Sequence, residues 1–281
     1  MLAFLLCLAL ATARAVAVGT GSPTQRLLRD GYVVFDGVIS TADVAGIRAS
    51  VSSMREQGRM MNLGQDGRDD DVAVLDPNRL DHPSYGTLGV AGKVLADLPA
   101  MLVDSGRRDA DATPDGLAHL ASAVAPTRLM LAHYPATGGR YVSHLDNDPT
   151  DPSHQVGPVG MRACDRVFTC ILYLNDEWEE AHAGCLRIFT SSDTDAEPDD
   201  GDDEPWQPQN EDEEEEEEEA AVLEEASSAA AAGQREQKPA AEGDFVDIEP
   251  RGGRLVVFDS SRMLHEVRPS FASRWALTAW I

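Results

Sequence analysis

The chain has 281 residues, 49 Asp and Glu against 23 Lys and Arg, and a formal net charge of -26, which disfavours nucleic-acid binding through phosphate neutralisation. The charge is concentrated: residues 193–225 hold 19 acidic side chains and no Lys or Arg, leaving 30 acidic and 23 basic residues elsewhere, a net of -7. With 42% hydrophobic residues, the chain can bury the core of one large domain, so disorder throughout is excluded.

Residues 1–17, MLAFLLCLALATARAVA, combine an apolar run with small residues in A-x-A spacing and read as a secretory signal peptide. Arg14 interrupts the run and no basic segment precedes it, so an uncleaved anchor or a different start is the alternative. No later stretch is apolar enough to cross a bilayer, so no integral span is expected after cleavage. A cleaved leader implies the endoplasmic reticulum lumen or secretion; a retained one leaves the cytoplasm or nucleus. Of Cys7, Cys164, Cys170 and Cys185, the first lies in the leader, and the odd three that remain argue against a disulfide framework. There is no C-x-x-C pair for a zinc site, so any metal must rest mainly on His and carboxylate.

Residues 18–124 are expected to form an N-terminal strand and supporting helices. Gly31-Tyr-Val-Val-Phe-Asp-Gly reads as a strand, and Ser40-Thr-Ala-Asp as the N-cap of a helix over 42–57 whose Val44, Ile47 and Val51 share one buried face. Two more helices are predicted, near 85–103 and 114–124. Residues 125–281 then change character. Short apolar runs (LMLAHYP, YVSHL, VFTCILYLN, CLRIF, DFVDIEP, RLVVFD, LHEVRP, RWALTAWI) separated by Gly, Pro, Asn and Asp predict a mainly β fold, a jelly-roll core flanked by the helices. Residues 190–243, including the Glu run at 213–219, lack the apolar content to fold and read as a disordered acidic insert between two strands; cation or basic-partner binding is the alternative role.

Chemistry concentrates in Tyr141-Val-Ser-His-Leu-Asp. On a strand, His144 and Asp146 would project from one face and could share a metal. His265, in a strand just before Pro269-Ser270, would supply the third ligand, and two His with one carboxylate make the facial triad of non-haem iron(II) oxygenases. Arg274 opens the last strand, nine residues after His265 across a short turn, and is expected to return alongside the ligand strand. In an apolar strand it needs an anionic partner, which a dicarboxylate co-substrate provides through a forked contact.

These motifs, with His133-Tyr-Pro-Ala-Thr-Gly-Gly-Arg, Thr169-Cys-Ile-Leu-Tyr-Leu-Asn, Leu186-Arg-Ile-Phe, Asp247-Ile-Glu-Pro, Arg254-Leu-Val-Val-Phe and Ala272-Ser-Arg-Trp-Ala-Leu-Thr-Ala-Trp, resemble the iron(II)- and 2-oxoglutarate-dependent prolyl 4-hydroxylases, most closely the hypoxia-inducible-factor type. The resemblance implies a double-stranded β-helix and hydroxylation of peptidyl proline at C4, coupled to decarboxylation of 2-oxoglutarate to succinate and carbon dioxide. It implies Fe(2+), 2-oxoglutarate and L-ascorbate as cofactors, and dioxygen and a prolyl-containing protein or peptide as partners. Carried over by residue, it implies that His144, Asp146 and His265 bind iron and that Arg274 and Tyr173 hold the distal carboxylate of 2-oxoglutarate. Tyr134, Ile171, Leu186, Val267 and Thr278 would line its pocket, with Met130 and Trp280 at the edge. Where the family has Gly-Gly before Leu-Arg-Ile-Phe, this chain has Ala183-Gly184 followed by Cys185. A same-fold oxygenase for another residue or a small molecule, and a non-enzymatic acidic binding protein, are the competing readings.

Overall fold

A computed structural model describes residues 14–15, 21–65, 67–80, 82, 85–156, 162–190 and 244–281. The acidic insert and most of the leader lie outside these residues. The described residues up to Thr190 and from Phe245 to Ile281 form one compact unit.

Among the described residues, twelve strands make two antiparallel sheets. The larger is ordered β1 (Arg14–Ala15), β2 (Tyr32–Asp36), β10 (Leu255–Asp259), β7 (Phe168–Tyr173), β12 (Arg274–Trp280), β5 (Leu129–Tyr134), β4 (Asp71–Leu75), β3 (Met61–Asn62). The smaller is ordered β6 (Gly139–His144), β11 (His265–Ser270), β8 (Leu186–Phe189), β9 (Phe245–Ile248). Strands β5 to β12 alternate between the sheets, except that β8 and β9 are neighbours in the smaller one, in the double-stranded β-helix manner, the jelly roll expected from the sequence. Central strands are buried on both faces, which is why they read as continuous apolar runs. In β7, Phe168, Cys170 and Leu172 join the helix-side core, while Ile171 and Tyr173 point between the sheets.

The helices α1 (Pro23–Asp30), α2 (Thr41–Glu56), α3 (Leu88–Arg108) and α4 (Pro114–Ser122) supply that helix-side core, with Leu27, Ile47, Val51, Leu95 and Leu98 at most 1% exposed. The sequence reading missed α1, although its start was written in full: Ser22 accepts from Gln25 N, Gln25 returns the bond, and Pro23 fills the first turn. Gly31 ends the helix at φ 82°, where a side chain would also meet Met263. The second predicted helix begins and ends later than expected, and β3 and β4 were not anticipated. No helix of the described residues is long and apolar enough to cross a membrane.

Candidate metal and co-substrate site

The small sheet sets two imidazoles opposite one another. His144 ends β6 and His265 begins β11, and they are direct cross-strand partners with ring centroids 4.4 Å apart. Each Nδ1 donates to the carbonyl two residues back, His144 to Val142 at 2.8 Å and His265 to Met263 at 3.0 Å. A carbonyl can only accept, so Nδ1 carries a proton in each ring, and in the neutral tautomer Nε2 is left with the lone pair. They face one carboxylate: His144 Nε2 is 3.7 Å from Asp146 Oδ1, and His265 Nε2 is 3.8 Å from Asp146 Oδ2. Ligand atoms of the three residues all lie within 4.8 Å of one another, the one such group among the described residues. Two imidazole nitrogens and a carboxylate suit a divalent transition ion, so the residues present fit the iron of a facial triad.

The reason given for this convergence needs correction. Asp146 is not on the strand; β6 stops at His144 and Asp146 lies in the bend beyond it. Alternation along a strand therefore cannot aim its carboxylate. Side chains do so instead: Thr169 donates to Oδ2 at 2.6 Å, and Arg166 donates to the Asp146 carbonyl at 3.2 Å while its guanidinium covers Trp280 at 4.1 Å. Burial pushes the Asp146 carboxyl upward, but His265, His144, the Thr169 hydrogen bond and Arg166 together hold it at about 2. Burial, with His265 adding to it, lowers His144 to about 4, and the ring stacks on Tyr141 at 3.9 Å. The centre is a carboxylate with a neutral imidazole beside it, the protonation state that metal binding requires.

The other wall belongs to the large sheet. Arg274 opens β12, which lies between β5 and β7 and does not pair with β11; the expected return alongside the ligand strand is corrected. A short turn also lets a chain arch from one sheet of a jelly roll to the other, and here it does. The side chain still points inward. Arg274 is 3% exposed, its Nε donates to the Gly184 carbonyl at 2.8 Å, and its guanidinium lies 4.9 Å from the Tyr134 ring and 5.1 Å from that of Tyr173. One terminal guanidinium nitrogen and the Tyr173 hydroxyl are buried without a hydrogen-bond partner among the described residues. Burial raises the Tyr173 phenol, and Arg274 opposes it. Two donors left unsatisfied side by side are costly unless an acceptor joins them, and a carboxylate would satisfy both.

Between the walls lies a cavity of about 590 Å³. Tyr134, Ile171, Leu186, Val267 and Thr278 all line it together with the His144, Asp146 and His265 cluster. Met130 and Trp280 line it as well, while Arg274 and Tyr173 sit outside the lining, with Arg274 against the ring of Tyr134. Sequence reasoning gave no role to Thr169, Arg166 or the buried pair Arg68–Asp70 at 2.5 Å. Thr169 carried the one available signal: the single aliphatic hydroxyl in an otherwise apolar strand, two and four positions before the inward-facing Ile171 and Tyr173.

A model of the 2OG-Fe(II) oxygenase superfamily matches residues 129–281. The rat protein Egl nine homolog 1 is 29% identical over 156 residues, 55% of this chain and 28% of its own, and human prolyl hydroxylase EGLN3 is 28% identical over 156 residues, 55% of this chain and 39% of its own. The matched region is thus well under half the length of either relative. Among solved structures, the Trichoplax adhaerens prolyl hydroxylase, in complex with a hypoxia-inducible-factor oxygen degradation domain peptide fragment, superposes with TM-score 0.55 and 18% identity over 92% of this chain and 86% of that one, a likeness of fold.

Proposed function

Because this chain belongs to the 2OG-Fe(II) oxygenase superfamily, which works with iron(II) and 2-oxoglutarate, we propose that it hydroxylates peptidyl proline at C4. The observation that carries the oxygenase site is the pairing of a His144, Asp146, His265 cluster lining one cavity with two unsatisfied donors, on Arg274 and Tyr173, the first packed against the Tyr134 ring that lines the same cavity. Proline as the target is supported by the name of the EGLN3 relative and by the motifs the chain shares with the hypoxia-factor type.

When bound, iron(II) and 2-oxoglutarate supply the reduction of dioxygen, the release of succinate and carbon dioxide, and the insertion of oxygen into a C–H bond. The chain's residues hold and orient. His144, Asp146 and His265 would grip the metal on one side and leave its other positions to reactants. Arg274 would fork onto the distal carboxylate of 2-oxoglutarate while Tyr173 donates its hydroxyl to the same group. Tyr134, Ile171, Leu186, Val267 and Thr278 would fill the space around the co-substrate and keep water from it. L-ascorbate is proposed as the reductant that restores iron(II), and the acidic insert as a spacer outside the chemistry. The leader reading assigns the protein to the endoplasmic reticulum lumen or to secretion, with the cytoplasm or nucleus if it is retained; N-terminal sequencing of the native chain decides.

The test is to incubate the purified chain with iron(II), 2-oxoglutarate and prolyl peptides, following succinate release and peptide mass. Succinate coupled to one added oxygen on proline is the expected result. Succinate that depends on His144 without any change in the peptides would redirect the reading to another substrate of the same fold. An iron-loaded chain that releases no succinate would overturn it.

A further inference from the structure

Asp146 is a ligand candidate without a strand beneath it, yet it is 8% exposed and its neighbours leave it little freedom. Thr169 Oγ1 lies 2.6 Å from its Oδ2. An ionised carboxylate only accepts, so Thr169 is the donor, and its single proton is committed there. Ser260 Oγ lies 2.9 Å from the Thr169 oxygen, so Ser260 must donate in turn. Both residues are buried, at 1% and 0% exposure. Ser260 also holds the same bend through its backbone. Its carbonyl accepts from Asn147 N at 3.0 Å, and its own N–H donates to the Val167 carbonyl at 3.0 Å. The turn after β10 therefore grips the segment just past β6 twice, once through the Asn147 amide and once, by way of Thr169, through the Asp146 side chain.

We propose that Thr169 and Ser260 are positioning residues that occupy Oδ2 of Asp146 and present only Oδ1 to the metal. Among the described residues Oδ1 has no hydrogen bond at comparable distance; His144 Nε2 and Arg166 Nη1 each stand 3.7 Å away. A carboxylate that binds through one oxygen leaves an additional coordination position open to a reactant, whereas one free to turn could occupy it with its second oxygen. This inference rests on the metal assignment of the proposed function and is independent of the prolyl substrate.

Cobalt(II) is a suitable probe, because its visible absorption reports coordination number without turnover. Full-length protein stripped of metal is titrated with cobalt(II) as the unaltered chain and as Thr169→Val, Thr169→Ser and Ser260→Ala. Thr169→Val keeps the side-chain volume and should weaken binding roughly 10- to 100-fold, as loss of a partner to a metal ligand does, with a changed visible band pattern. Thr169→Ser should restore both affinity and spectrum, and Ser260→Ala should move both in the Val direction by less. A folded Thr169→Val that binds with unaltered affinity and spectrum overturns the inference, as does a Ser variant that behaves like Val. If Thr169→Val does not fold, Ser260→Ala decides, and its identity with the unaltered chain is the overturning result. Failure of the unaltered protein to take up cobalt(II) would overturn the metal assignment itself, and this inference with it.

Discussion

The two sides of the site hold their polar groups in opposite ways. On the small-sheet side both histidine Nδ1 atoms are bonded to carbonyls and one aspartate oxygen is bonded to Thr169, so the donor atoms are aimed in advance. On the large-sheet side a guanidinium nitrogen and a phenol hydroxyl are buried with no partner among the described residues. The first region bears the cost of order during folding and is ready for a metal. The second keeps part of its hydrogen bonding in reserve, which an arriving anion would complete. A wall finished by its ligand should respond to substitution through ligand affinity, and a preorganised wall through metal binding.

Breaking the preorganised wall gives the largest expected effect. Asp146→Ala should lose metal uptake and reduce 2-oxoglutarate turnover by roughly a thousandfold or more while the fold persists, since the apolar core is untouched; succinate release and circular dichroism check the two halves. Arg274→Ala breaks the other wall. It should raise the KM for 2-oxoglutarate by the equivalent of about 2–5 kcal/mol, and Arg274→Lys by less because charge survives but the fork does not. Metal affinity should stay unchanged in both, and separate titrations of metal and 2-oxoglutarate distinguish the outcomes.

Two smaller effects sharpen the contrast by probing what lies behind the anchor wall. His133, next to Tyr134 but facing the helices, is packed 4.4 Å from Trp275, and burial, with Arg55 adding to it and Asp71 opposing, lowers its pKa from the ordinary 6.5 to about 4. The unfolded chain therefore takes up this proton before the folded one does. The stability tied to a neutral His133 is complete above about pH 6.5 and is lost as the pH falls toward 4, by up to about 3 kcal/mol. Urea unfolding across that range should show a shallower pH slope in His133→Asn. Ala183 adopts φ 50° and ψ -140°, a conformation suited to glycine, immediately before the Gly184 whose carbonyl accepts from Arg274. Ala183→Gly should relieve that strain and stabilise the fold by about 1 kcal/mol, visible as a rise in Tm, while the metal centre stays as it was.

Much of this was legible in the sequence, for identifiable reasons. Doubly buried strands announce themselves as apolar runs, and an arginine within such a run demands an anion, so the jelly roll and the role sought for Arg274 could be read directly. His144 and Asp146 could be paired by spacing, yet alternation along a strand would need β6 to reach Asp146, and it ends two residues earlier at His144. What actually aims Asp146 comes from Thr169 and Ser260, 23 and 114 positions along the chain, and no local pattern records a contact of that kind. The jump of β12 to the other sheet was equally hidden, because a short connection serves a hairpin and an arch alike. Strand β4 was missed because Asp71–Leu75 is brief and has polar residues before and after it, although β5 pairs with it along its full length.

One rung of the small sheet has a consequence for how this protein can change. Phe189 and Phe245 are cross-strand partners, so the chain leaves β8 and re-enters at β9 across a single inter-strand gap. Whatever connects them has only to close a loop, and closing a loop twice as long costs about 0.6 kcal/mol more. The barrel therefore has a port at which sequence can be added or trimmed almost without regard to length. A reporter domain whose termini lie close together could be spliced there, and a lineage could lengthen or rewrite the segment while the oxygenase framework stays constant.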